Sequence, residues 1–126
     1  MKTKLLTLEQ WNMIPKDEET QVEAVEGDTA LLINGVAFLI QRKNNWNNVV
    51  CIRLKPSKIN IVQPFETFRA FCQKSGIQYL RIEGHGKHHY KMLNLLIKYA
   101  PEGAGIVYAE EESKKYKSNI WYVKTY

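Results

Sequence analysis

Three groups of residues in this chain have the types and spacing for chemistry. The first is Lys55-Pro56-Ser57-Lys58-Ile59-Asn60-Ile61-Val62-Gln63-Pro64, which joins an apolar strand to a helix opening at Phe65. Free N–H groups at a helix start attract anions, and junctions of this kind hold phosphorylated cofactors in many α/β proteins. This one contains no glycine. The second group is Gly84-His85-Gly86-Lys87-His88-His89-Tyr90. Imidazoles this close in sequence can ligate a transition metal, but adjacent His88 and His89 diverge on a helix and no cysteine lies nearby. Amides of the glycine turn, with His85, Lys87 and His88, offer an anion nest instead; a plain turn with solvated histidines fits the same residues. The third group is Lys114-Lys115-Tyr116-Lys117 followed by Trp121, Tyr122, Lys124 and Tyr126. Positive charge interleaved with rings suits single-stranded nucleic acid, through phosphate contacts and base stacking. A lysine-bearing hairpin edge that deters aggregation accounts for the same pattern.

The charge distribution bears on the partner. The chain of 126 residues has a net charge of +5, with 44% hydrophobic and 25% charged residues. Residues 1–52 carry 5 Lys/Arg against 7 Asp/Glu, and residues 53–126 carry 13 against 6. A basic half suits a nucleic-acid or other anionic partner; a solvated lysine surface is the plainer use. The length fits one domain with a real core, spanning 1–126. No apolar run approaches the ~20 residues that cross a bilayer. The basic start, Met1 to Thr7, runs into Glu9 and Trp11 with no long apolar stretch, so no signal peptide is expected. Cys51 in an apolar strand and Cys72 on an apolar helix face read as core residues without a disulfide, which favours the cytoplasm.

The elements that must position these groups follow from period and turn chemistry. Leu8 to Met13 reads as a short helix capped by Thr7 and closed by Pro15. Gln21 to Glu26 alternates and reads as an edge strand, with Gly27-Asp28 as a turn. Asn34-Gly35 between Thr29–Ile33 and Val36–Ile40 is a hairpin signature, because a type I′ turn needs positive φ at both central residues. Asn44 to Asn48 reads as a turn and Val49 to Leu54 as the next strand. Phe65, Phe68, Phe71 and Cys72 fall at helical spacing, with Pro64 in the first turn and Gly76 as C-terminal cap. Ile77–Ile82 reads as a strand. Lys87–Ala100 reads as a second helix, apolar on a broad face at Met92, Leu93, Leu95, Leu96, Ile97 and Tyr99. Ile106–Glu110 and Ile120–Tyr126 read as strands flanking a polar loop, Ser113–Ser118. Trp11, Trp46, Tyr116 and Tyr126 fall in predicted turns or termini, where exposed rings mark a contact surface.

These elements predict an α/β (α+β) domain with a mixed sheet of about six to seven strands. An antiparallel meander comes first, and helices then cross over the sheet. A right-handed crossover places the 77–82 strand parallel to the 49–54 strand.

This order resembles the GNAT superfamily of acetyl-CoA-dependent N-acetyltransferases over about residues 22–126. The Asn34-Gly35 hairpin and the 49–54 strand correspond to the family's antiparallel arm, Pro64–Ser75 to its cofactor-side helix, and Ile77–Glu83 to its splayed parallel strand. Leu96 to Gly103 is similar to the family's tyrosine-containing helix end, although Pro101 and Glu102 interrupt it. The resemblance implies acetyl-CoA as cofactor and Tyr99 as the general acid for a leaving thiolate; a structural Tyr99, its ring packed at the helix end, fits as well. The family's pyrophosphate loop has the form Gln/Arg-x-x-Gly-x-Gly/Ala, whose glycines admit phosphate to backbone donors. Here Ile61, Val62 and Pro64 stand in that segment, leaving Lys55, Lys58 and Arg69 to attract phosphate by charge alone. The 49–54 strand offers no carboxylate as base, and Glu66 and Glu83 are the nearest candidates. The chain is also similar to reduced acetyltransferase-like proteins of tailed phages, which keep the fold and need not keep the chemistry. The function expected is therefore a binding protein of phage or mobile-element type, without efficient acetyl transfer, that docks on a protein or an anionic partner. A divergent N-acetyltransferase and a nucleic-acid-binding protein are the alternatives.

Overall fold

The computed structural model describes residues 3–15, 22–43, 46–54, 62–84, 91, 94–95, 97–98 and 105–125. Among them are seven strands and three helices, an α+β arrangement around one mixed sheet. In chain order these are β1 (Thr3–Leu6), α1 (Leu8–Met13), β2 (Thr29–Ile33), β3 (Val36–Lys43), β4 (Trp46–Arg53), α2 (Val62–Lys74), β5 (Tyr79–Gly84), β6 (Ile106–Tyr108), α3 (Glu110–Tyr116) and β7 (Asn119–Lys124). The sheet order is β1-β2-β3-β4-β5-β7-β6.

The Asn34-Gly35 turn behaves as its residues require. Both have positive φ, 46° and 79°, and the antiparallel register runs from Ile33↔Val36 to Thr29↔Ile40. β4 then pairs antiparallel with β3, and β5 pairs parallel with β4 through Asn48↔Arg81 and Val49↔Ile82. The expected parallel pair is thus present, joined across α2. The registered pairing between β4 and β5 ends at Val49↔Ile82; β4 continues beside β3, and β5 beside β7.

Helix ends follow local chemistry. Thr7 caps α1 in a reciprocal box: its hydroxyl accepts the Gln10 N–H at 3.0 Å and its N–H donates to Gln10 Oε1 at 2.8 Å. α2 ends in a Schellman motif, with Ile77 N–H donating to the Cys72 carbonyl, Gly76 N–H to that of Gln73, and Gly76 at φ 79°.

Five expectations are corrected. Gln21–Glu26 supplies no edge strand over its described residues, because side chains take the backbone groups a ladder would use. The Trp11 indole donates to the Val22 carbonyl at 2.8 Å, Asn12 Oδ1 accepts the Ala24 N–H at 2.8 Å, and Gln41 donates to the Glu23 carbonyl at 3.3 Å. The edge is formed by β1, which pairs with β2. Trp46, Asn47 and Asn48 belong to β4, since the hairpin ladder with β3 extends to Lys43↔Trp46. α2 begins at Val62, placing Pro64 inside its first turn, where a missing N–H costs no intrahelical bond. The Ser113–Ser118 loop is largely helix: α3 starts with Glu110, Glu111 and Glu112 and ends with Lys114 and Lys115, a charge order that complements the helix dipole. Finally, Lys91, Asn94, Leu95, Ile97 and Lys98 have helical backbone, but Leu95 and Ile97 are exposed, so neither belongs to the packed face expected of it.

The sheet separates two cores. On the α2 side, Phe38, Val49, Phe65, Phe68, Cys72, Leu80, Ile82, Trp121 and Val123 form one buried cluster, with Phe38 and Phe68 stacked at 4.3 Å between centroids. On the reverse side, Trp11, Ala24, Ala30, Ala37 and Leu39 form the other. Cys51 and Cys72 are free thiols, Cys72 buried and Cys51 partly so. No helix among the described residues is long and apolar enough to cross a membrane.

Candidate functional site

The strands β4, β5 and β7 bring a polar and aromatic group together on the sheet face opposite α2. Alternation in Tyr79-Leu80-Arg81-Ile82-Glu83 sends Leu80 and Ile82 into the α2 core, and therefore Tyr79, Arg81 and Glu83 to the other face. The register places Arg81 beside Asn48 on β4 and Tyr122 on β7. Arg81 Nη1 donates to Glu83 Oε2 at 2.7 Å and to Asn48 Oδ1 at 3.3 Å. Glu83 Oε1 accepts the Ser118 hydroxyl at 3.0 Å. The Tyr122 phenol donates to Glu112 on α3, at 2.7 Å to Oε2. The Trp46 ring reaches across β5 to the Tyr122 ring, with centroids 4.9 Å apart and a 57° tilt.

The electrostatics follow from this packing. Partial burial acts to lower the Arg81 pKa, but hydrogen bonds to Glu83 and Tyr122 and the Glu83 charge outweigh it and hold the guanidinium above its ordinary value. Burial, reinforced by the hydrogen bond to Glu112, raises the Tyr122 phenol, with Arg81 partly opposing. The group is a charge-compensated cluster that fixes side chains in place. Its phenol stays protonated at neutral pH.

The residues expected to carry function are distributed differently. Arg69 is 7% exposed, donates from Nη2 to the Lys124 carbonyl at 2.7 Å and pairs with Glu66 at 3.4 Å. Its guanidinium ties α2 to β7. Glu66 and Glu83, the candidate bases, both face cations. Lys114 and Lys115 lie on α3, with Lys114 paired to Glu110 at 3.4 Å and the Lys115 ammonium 5.3 Å from the Tyr116 ring centre. Lys117 forms the left-handed cap of that helix. Glu110, Glu111 and Glu112 precede these lysines on the same helix. Trp121 is buried in the α2 core and Trp11 in the opposite one, which removes both as exposed stacking rings, while Trp46 and Tyr116 are exposed. Tyr99, Lys55, Lys58, His85, Lys87, His88 and Tyr126 lie outside the described residues. Among the described residues no group of three His, Cys, Asp or Glu side chains is placed to hold a metal ion.

Sequence reasoning did not single out Tyr79 or Arg81, and it named Trp46 only as a ring in a predicted turn. The available signal was alternation: ring, apolar, arginine, apolar, glutamate along β5 describes a strand with one buried and one chemically rich face. Comparison with protein-family models, curated proteins and solved structures finds no match to this chain.

Proposed function

We propose that this chain is a binding protein of acetyltransferase-like architecture that docks on an anionic partner and does not transfer acetyl groups efficiently. The antiparallel β2-β3-β4 arm and the parallel β4–β5 pair joined across α2 support the architectural resemblance. One observation carries the functional part. Phe65, 2% exposed, is buried in a single core with Val49, Leu80 and Ile82, so the α2 side of the β4–β5 pair is filled with hydrocarbon where a cofactor cleft would be needed. The commitment of Arg69 to the Lys124 carbonyl takes away one of the three cations that would replace the missing glycine loop.

A second reading, a divergent N-acetyltransferase, is favoured by the early end of the β4–β5 register at Val49↔Ile82, since strands that part at their C-terminal ends suit a splayed cofactor site. Calorimetric titration with acetyl-CoA separates the two. The binding reading predicts no heat at micromolar cofactor. Micromolar affinity that disappears in Lys58→Ala would overturn it and install the enzyme.

A further inference from the structure

Of the nine asparagines in this chain, Asn34 alone is followed by glycine, and that pair is intrinsically reactive. The backbone nitrogen of the next residue can attack an asparagine side-chain carbonyl and close a five-membered imide, and a glycine there carries no Cβ to obstruct the approach. Asn34 is exposed and Gly35 partly so, so water reaches the site. The fold, however, sets the backbone against closure. Ring formation needs the Gly35 nitrogen and the Asn34 Cβ on the same side of the Cα–C′ bond. Asn34 and Gly35 have φ 46° and 79°, the two positive values of a type I′ turn, whose first central residue has ψ of about +30°. That ψ turns the Gly35 nitrogen nearly opposite to the Asn34 Cβ, so attack requires the turn to open. Opening is resisted on both sides. Ile33↔Val36 continues into the β2–β3 ladder, and the Leu54 N–H, just past β4, donates to the Gly35 carbonyl at 2.9 Å. The residues flanking the turn are core. Ile33, Val36 and Phe38 lie in the α2-side cluster, and Ala37 and Leu39 in the opposite one.

We propose that Asn34-Gly35 is a self-modification site gated by the hairpin: the native turn suppresses cyclisation, and opening of β2 from β3 releases it. Only the chain and water take part. The Gly35 nitrogen gives up its proton and bonds to Asn34 Cγ, while the Cγ–Nδ2 bond breaks and Nδ2 leaves as ammonia with that proton. Water then opens the imide. Breaking the Cγ–N bond gives an aspartate with a normal main chain. Breaking the C′–N bond gives an isoaspartate, whose main chain runs through Cβ and Cγ. The two products have opposite fates. Aspartate before glycine suits a type I′ turn as asparagine does, so the aspartate chain regains the hairpin. Isoaspartate adds a methylene to a two-residue loop whose length fixes which residues pair. Ile33 and Val36 cannot then stay opposite one another with Leu31, Ile33, Val36 and Phe38 all directed at α2. An opening that lasts long enough for cyclisation is thereby made permanent in the isoaspartate fraction.

The test is peptide mapping by mass spectrometry of the full chain after incubation at mildly alkaline pH, once in buffer and once in urea above the unfolding midpoint. A peptide spanning Leu32–Ala37 in the same two solutions corrects for any effect of urea on the chemistry. Expected is conversion at Asn34 that is slower in the folded chain by about tenfold or more, because opening of a hairpin built into the core is a minority state. Equal rates in the two states overturn the gate, and no conversion in the unfolded chain overturns the site. The chain aged in urea is then returned to buffer and read by hydrogen exchange. Asn34→Asp reaches the aspartate form without passing through the imide, so it separates the added charge from the altered main chain. That variant should refold with the amides of β2 and β3 protected, and the isoaspartate fraction should lack this protection. Isoaspartate chains that refold with native protection overturn the divided fate of the two products.

Discussion

Arg69 on α2 donates from Nη2 to the main-chain carbonyl of Lys124 on β7 at 2.7 Å. The two residues are 55 apart in sequence, so this bond joins the crossover helix to the last strand. A guanidinium at a buried position stabilises only if its donors are satisfied, and removing it leaves the carbonyl without that donor. Arg69→Ala is therefore expected to lower stability by about 1–3 kcal/mol, read as a drop in urea midpoint. Arg69→Lys keeps the charge and loses the planar fork, and should fall between the two. A phosphate ligand would behave oppositely, with unchanged stability and lost ligand affinity.

Cys72 gives a pH signature. Its burial raises the thiol from 9.0 to about 12. The unfolded chain therefore ionises first, and above pH 9 unfolding releases a proton. The contribution of this group is constant below about pH 9 and stability falls as pH rises from there toward about 12. Tyrosines and lysines titrate in the same range, so the measurement is the difference between the native chain and Cys72→Ala: the variant should show a shallower loss. Thiol labelling should also modify partly buried Cys51 well before Cys72.

Local chemistry made much of this fold legible. Thr7, Asn34-Gly35 and Gly76 each specify a backbone conformation within a few residues, and each is found as read. The parallel β4–β5 pair followed from the handedness of a strand–helix–strand crossover. What escaped depends on distant partners. Thr3–Leu6 is too short to announce itself, and is a strand only because β2 offers it an edge. Val22 and Ala24 alternate like a strand, but side chains from α1 claim their backbone groups before a ladder can. Arg69 looked like a free cation because sequence cannot show that the Lys124 carbonyl lies within its reach. The aromatic face was hidden for a related reason: Trp46 and Tyr122 are far apart in the chain and meet only because β5 inserts between their strands.

Ser113 locks α3 to the sheet. Its hydroxyl donates to the Ala109 carbonyl at 2.6 Å and accepts the Ile120 N–H at 3.0 Å. Both Ser113 and Ile120 are buried. Ser113→Ala leaves a buried N–H without that acceptor and should cost about 1–3 kcal/mol. Hydrogen exchange offers the sharper readout, because the Ile120 amide should lose protection while amides in β2 and β3 keep theirs.

The cap of the same helix is strained. Lys117 sits at φ 53° in the left-handed region, which disfavours residues with a Cβ and suits glycine. Its N–H and that of Ser118 both donate to the Ser113 carbonyl, so the conformation is imposed by closing α3. Lys117→Gly relieves the strain and also gives the unfolded chain more freedom to lose. The net expectation is a gain of about 0.5–1 kcal/mol, seen as a higher urea midpoint at unchanged slope.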